Sequence, residues 1–268
     1  MSVYRSLETC CLIGARKRNL SQQAHKLPKI PNHLAVLWVP INYHLNTILS
    51  PTLIALSFID HNKKIQLQSK NQLNSIFHDV LKLLSWAQDI GIHEITLYDE
   101  RGLLKSHQLE LLEYLSNSSF INHRTQISSI QENLMGPSAQ VSYEIKQCGT
   151  FKSLRLNLID QAQGHQHLAK VAQEFLCMID GKDSIIKRES LDVKTIDEKI
   201  CSTSIQPPDL LMVLGGRSLR LRGFPPWQLS VTEIYHARSY AIFPFQISYR
   251  EFSEALKLFG DCEQRGGS

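Results

Sequence analysis

Apolar runs of strand length alternate with stretches of helical period through most of this 268-residue chain, and that alternation restricts its architecture more than any other feature. Leu53–Ile59 reads as a buried strand. Residues 72–90 read as a helix, with Leu73, Ile76, Phe77, Val80, Leu84 and Ala87 on one face and Gly91 as its stop. Ile92–Tyr98 alternates as a strand, and Asp99–Gly102 reads as a turn. Ser106 is placed to cap a short helix through Leu115. Residues 116–138, rich in Ser and Asn, read as a loop. Two further strands are expected at Val141–Lys146 and Leu154–Ile159. The helix Gly164–Ile179 carries Leu168, Val171, Ala172, Phe175, Leu176 and Ile179 at helical spacing. A charged connection over 181–190 and a last buried strand, Asp209–Leu214, follow. The pattern predicts an α/β domain, a mostly parallel central sheet flanked by helices. Ligand sites in such sheets form at the carboxyl ends of the strands.

The charge of +4 suits an anionic partner or a membrane surface and demands neither. Six cysteines occur without a C-x-x-C, so neither a zinc site nor a redox motif is supported, and reduced thiols facing the cytosol are expected. His165 and His167 lie two apart, which turns them in different directions on a helix. No metal ligands are assigned. The apolar region His33–Ile59 is broken by Pro40, Asn42, His44, Asn46 and Pro51, which argues against a clean spanning helix. It reads as two strands and a loop, with a weak membrane-surface anchor as the alternative. Residues 1–51 are accordingly expected to form an N-terminal extension with possible weak membrane association, and 52–268 the folded domain.

The end of the sequence is the second informative region. Ser248-Tyr-Arg-Glu251 fits a capping box, and Phe252, Ala255, Leu256 and Phe259 form the apolar face of the helix it opens. A packed helix gives the following Arg265-Gly266-Gly267 a fixed point of departure. Arginine binds phosphate through two parallel hydrogen bonds, and glycine lets bare amides approach the same anion.

The ordered set of a strand, a glycine pair, Gly-Phe-x-x-Trp (223–227), Thr-Glu-Ile (232–234), ISYREFSEAL (247–256) and CEQRGG (262–267) resembles the C-terminal half of the cis-prenyltransferase family. Within it, the set is most similar to the non-catalytic partner subunits of dehydrodolichyl diphosphate synthase and to the related plant bridging proteins. ITLYDERGLLK (95–105), residues 154–175 and IDEK (196–199) are similar to family segments too, so the resemblance covers residues 52–268. It implies an undecaprenyl diphosphate synthase-like fold. It also implies elongation of an allylic diphosphate by isopentenyl diphosphate with cis double bonds, Mg2+ assisting departure of the diphosphate.

Departures from the family pattern point to a subunit with no catalytic residues of its own. Catalytic members carry Asp-Gly-Asn-Gly-Arg after the first strand. The candidate here, Ile59-Asp60-His61-Asn62-Lys63-Lys64, keeps one carboxylate and lacks the glycines and the arginine, and the alternative register beginning at His33 lacks a carboxylate altogether. After the late strand Leu214 stands where the family has an arginine. Gly215, Gly216 and Arg220 remain as possible anion contacts, and Arg222 replaces a serine. Each lost charged hydrogen bond to phosphate is worth ~1.5–3 kcal/mol. Arg265 and Gly267 match the family's Arg-x-Gly, with Gly266 between, and the resemblance assigns them to isopentenyl diphosphate in the partner's active site.

The resemblance thus implies a required but non-catalytic subunit of a heteromeric enzyme making dolichol- or rubber-type polyprenyl diphosphate. The catalytic partner holds most of the Mg2+ coordination, and the complex sits at the cytosolic face of the endoplasmic reticulum membrane. Phe224, Trp227 and Ile234 belong to an apolar stretch too large for an exposed loop, and they are the candidate interface, with Trp227 open between core and contact surface. A self-sufficient homomeric enzyme, or a membrane-surface scaffold that lost the reaction, are the alternatives.

Overall fold

The computed structural model describes residues 27–38, 61–118, 125–130, 141–147, 153–180, 192–203, 205–216, 218–238 and 247–262. Their centre is one seven-stranded sheet. In chain order its strands are β1 (His33–Trp38), β2 (Glu94–Asp99), β3 (Thr125–Ile130), β4 (Val141–Gln147), β5 (Ser153–Ile159), β6 (Leu210–Leu214) and β7 (Glu233–Ala237). Across the sheet the order is β3-β4-β5-β2-β1-β6-β7. The five strands from β5 to β7 are parallel, and β3 and β4 add antiparallel pairs at one side. The mostly parallel sheet expected from the alternation is present.

The expected boundary after residue 51 is corrected by β1. His33–Trp38 pairs with β2 on one side and β6 on the other, and all six of its residues are buried. A continuous apolar run suits a strand covered on both faces, so the sheet draws its central strand from the segment read as an extension. The strand expected at Leu53–Ile59 lies outside the described residues.

Helix α1 (His61–Ile90) reaches eleven residues further toward the N-terminus than the expected 72–90. Leu73, Phe77, Val80, Leu84 and Ala87 are buried as the periodicity requires, joined by Leu83 and Trp86. Gly91, at φ +96°, ends it in the left-handed region. Ser106 does not cap the next helix. It is the last residue of α2 (Leu103–Ser106), where its hydroxyl donates to the Leu103 carbonyl, and α3 (Gln108–Asn117) starts from His107. Part of the stretch read as a loop is strand β3, whose register puts Ile127 opposite Ile145 of β4.

Helices α4 (His165–Asp180) and α5 (Val193–Thr203) form a satellite cluster through Val171, Phe175 and Ile200, apart from the main core. Leu176 was expected on the buried face of α4 and is 59% exposed, because that cluster covers less of the helix than a sheet would. Helix α6 (Tyr249–Asp261) has the capping box anticipated: Ser248 accepts from the Glu251 amide, and Glu251 accepts from the Ser248 amide. Phe252, Ala255, Leu256 and Phe259 are buried in the main core, where Phe252 and Tyr249 flank Trp86 of α1.

Candidate functional site

Parallel strands bring the ends of β1, β2, β5 and β6 to one edge. The strand order reverses there, since β2 lies on one side of β1 and β6 on the other. That edge carries Asp99 at the end of β2, Lys105 in α2, and Glu100, Asp160, Gly215 and Arg222 in the adjoining turns.

Each carboxylate of this group has a partner within the chain. Asp99 accepts from the backbone amides of Arg101, Leu103 and Leu104, which organises the turn into α2. Asp160 accepts from the Ala162 amide in a capping box closed by Gln163. The Lys105 ammonium lies 3.4 Å from Asp160. Glu100 faces the Arg222 guanidinium at 3.5 Å, with side chains only 20% and 17% exposed.

The loop after β6 folds onto this edge. Gly215, Gly216 and Gly223 take positive φ, and so does Arg222, at φ +49°. The Tyr98 hydroxyl donates to the Arg222 carbonyl at 2.6 Å. Burial, followed by the nearby Glu100, Asp160 and Asp99, pushes the Tyr98 phenol well above its ordinary range, so it remains a donor. Gly164 packs so tightly on the loop that a Cβ there would lie 1.8 Å from the Gly223 carbonyl oxygen. Phe224 is buried with its ring 5.3 Å from that of Tyr98.

These contacts place the expected site residues. The Gly215 amide donates to Ala237 at 2.9 Å, and its carbonyl faces His236 Nε2 at 3.0 Å, so that amide is committed within the sheet. Gly216 follows it in the turn. Arg220 is exposed, and the arginine turned onto the edge is Arg222. Sequence matching favoured Arg220 because the spacing of the family motif points to it; the left-handed turn at Arg222 and Gly223 selects its neighbour but one. Phe224 belongs to the core and offers no contact surface. Ile234 is half-buried against the same cluster. Trp227 is half-buried against the α4–α5 cluster, and its Nε1 donates to Asp197 at 2.8 Å. Arg265, Gly266 and Gly267 lie outside the described residues, as does Asp60.

With β1 at His33–Trp38, the register of the catalytic motif that lacks a carboxylate follows the central strand. Asp99, Glu100 and Asp160 are held by amides or cations, so their donor set does not fit a magnesium site belonging to this chain. Among the described residues no group of three or more His, Cys, Asp or Glu side chains is placed to hold a metal ion. No described helix is long and apolar enough to cross a membrane.

At the opposite, amino edge, α6 ends. Cys262 lies beside Glu233, the first residue of β7; burial and then a hydrogen bond with Glu233 raise the thiol's pKa. Polar side chains also cross this end of the sheet. His33 Nε2 is 2.8 Å from Thr96 Oγ1, and the Asn157 amide donates to Glu94 and Thr96 and accepts from Ser142. Burial is the main reason the His33 pKa is lowered.

No protein-family model matches the chain. It is similar to the human dehydrodolichyl diphosphate synthase complex subunit NUS1, at 26% identity over 71% of this chain and 61% of that protein. The Schizosaccharomyces pombe subunit nus1 is 26% identical over 73% of this chain and 71% of its own length. A geranylgeranyl-diphosphate-specific tritrans,polycis-undecaprenyl-diphosphate synthase from Picrophilus torridus is 25% identical over 58% of this chain and 66% of its own. The chain spans 61% and 60% of the human and mouse relatives it matches. A lavandulyl diphosphate synthase structure from Lavandula x intermedia superposes with a TM-score of 0.48 at 15% identity, covering 89% of this chain and 99% of that one.

Proposed function

We propose that this chain, a relative of the NUS1-type partner subunits of the cis-prenyltransferase family, is the non-catalytic subunit of a heteromeric polyprenyl diphosphate synthase. The observation that carries the reading is the self-pairing of the carboxyl edge. Glu100 with Arg222, Lys105 with Asp160, and Asp99 with three amides give every described carboxylate of this cleft a partner inside the chain. Substrate binding and Mg2+ coordination then fall mainly to a catalytic cis-prenyltransferase partner, which takes the allylic diphosphate and isopentenyl diphosphate.

The direction of α6 supports a role for Arg265 on that partner. The helix delivers the chain to the amino edge beside Glu233, whereas Gly215 lies at the other end of β6. Five residues of strand separate the two levels, about 17 Å at the usual rise. Arg265 follows Cys262 by three residues, so its Cα is within about 11 Å of that of Cys262. That reach falls short of the chain's own carboxyl edge, so we assign Arg265 to the partner, where its guanidinium and the following glycine amides would hold isopentenyl diphosphate. We place the assembled enzyme at the cytosolic face of the endoplasmic reticulum membrane, with a dolichol- or rubber-type product.

The test is product formation by the full chain alone and mixed with a catalytic cis-prenyltransferase subunit. The expected outcome is no polyprenyl diphosphate from the chain alone and a clear rise in the mixture. Arg265→Ala should leave assembly intact and reduce turnover or isopentenyl diphosphate affinity. Synthesis by the chain alone would establish a homomeric enzyme, and no stimulation of any catalytic subunit would establish a scaffold.

A further inference from the structure

The loop after β6 is fixed to the carboxyl edge through its backbone. The Tyr98 hydroxyl donates to the Arg222 carbonyl, and a Cβ at Gly223 would stand 3.3 Å from that hydroxyl and 3.6 Å from Gln161 Cγ. Gly164 packs on the Gly223 carbonyl as well. A non-glycine residue in the left-handed region, as Arg222 is at φ +49°, persists where its neighbours over-determine it. The turn therefore sets where the Arg222 guanidinium stands, turned into the cleft and facing Glu100.

The charges around that guanidinium form one group. Glu100 and Asp160 both act on the Tyr98 phenol, beside the Arg222 backbone, and Asp160 in turn faces Lys105. Asp99 is committed to three amides. Arg222 and Lys105 are thus opposed by Glu100 and Asp160. The pairs are loose: Glu100 lies 3.5 Å from Arg222 Nη1 and Lys105 lies 3.4 Å from Asp160, against about 2.7–2.9 Å for a charge-assisted hydrogen bond. Glu100 Oε2 and Lys105 Nζ are shut off from solvent and make no hydrogen bond among the described residues. Desolvated charges in that state are costly, and their presence calls for a reason other than stability.

The two carboxylates differ in what else they do. Asp160 builds local structure, accepting from the Ala162 amide in its capping box. Glu100 meets the cleft through the Arg222 guanidinium. An arginine and a lysine brought together at the carboxyl ends of parallel strands would attract a phosphate group, and here a carboxylate of the chain itself stands before the arginine.

We propose that Glu100 determines what this cleft excludes: its carboxylate occupies the anion position beside Arg222 and keeps a diphosphate from Arg222 and Lys105. The inference deepens the proposed function and rests on it, since it names the side chain by which this chain leaves diphosphate binding to its partner.

Glu100→Gln, made in the full chain, keeps the size of the side chain and removes its charge. Calorimetric titration with inorganic pyrophosphate at constant ionic strength is the readout. Glu100→Gln should bind pyrophosphate at least about tenfold more tightly than wild type, the gain from roughly one charged hydrogen bond. Pyrophosphate should also raise the unfolding midpoint of the variant and leave that of wild type in place. The double variant Glu100→Gln/Arg222→Gln should lose the gain. Equal affinity of wild type and Glu100→Gln overturns the inference, and so does a gain that survives in the double variant. Should Glu100→Gln fail to fold, Glu100→Ala, which admits water beside the guanidinium, decides by the same measurements. If Glu100→Gln gains nothing while wild type makes no product alone and stimulates a catalytic subunit, the exclusion by Glu100 fails and the proposed function stands. Synthesis of polyprenyl diphosphate by wild type alone overturns both.

Discussion

The Tyr98 hydroxyl, at the carboxyl end of β2, donates to the Arg222 carbonyl oxygen at 2.6 Å and joins residues 124 positions apart. It fastens the only described non-glycine residue with positive φ, so the bond also offsets part of the strain in that turn. Tyr98→Phe keeps the ring against Phe224 and removes the donor. Stability should fall by about 1 kcal/mol in urea unfolding near neutral pH. The phenol's pKa is raised in the folded state, so its contribution is full below the ordinary tyrosine value and declines as the pH climbs toward the folded one. The gap between wild type and Tyr98→Phe should therefore narrow in strongly alkaline solution. A gap that widens there would contradict the assignment of the hydroxyl as donor.

Gly164 and Gly91 should respond differently to alanine. At Gly164 the new methyl meets the Gly223 carbonyl at 1.8 Å, backbone against side chain, and one of the two segments must move. Overpacking of this kind costs ~1–3 kcal/mol. At Gly91 nothing lies within 4 Å, and only the left-handed backbone at φ +96° resists, at roughly 1–2 kcal/mol. Hydrogen exchange separates the two: Gly164→Ala should speed exchange over residues 221–226, and Gly91→Ala should leave that loop protected.

Asp79 is a carboxylate in the main interface between α1 and the start of α6. It accepts from Lys82 at 2.9 Å and from the Ile247 amide at 3.1 Å. Burial dominates and raises its pKa, with Lys82 opposing. A raised carboxylate contributes most below its ordinary pKa, and that contribution is lost as pH rises through the folded-state value. Asp79→Asn keeps an acceptor for Ile247 without a charge, so its stability relative to wild type should improve as pH rises from acid to neutral. Asp79→Ala instead strands a buried amide and should cost ~1–3 kcal/mol. Thermal unfolding of the three proteins across that pH range checks the order.

Periodicity and local chemistry were sufficient for much of this protein. The faces of α1 and α6, the Ser248–Glu251 box, the stop at Gly91 and the strands β2, β4, β5 and β6 all follow from neighbours within a few residues. The motifs of the C-terminal half carried the family likeness for the same reason, since they are contiguous. Signals failed where they depended on distant pairing. Thr125–Ile130 lacks the apolar density of a strand, yet β4 supplies its partner. Ser106 has the right side chain for a cap, but the turn set by Asp99 places the helix start elsewhere.

What the sequence alone determined is therefore the α/β class, most element identities and an arginine followed by two glycines after the last helix. Tertiary structure alone decided that His33–Trp38 is the central strand, that Arg222 rather than Arg220 turns onto the carboxyl edge, and that Glu100 meets it there. Helical and strand periods are written in adjacent residues, whereas a counter-ion 122 positions away is chosen by sheet order, which no local pattern encodes.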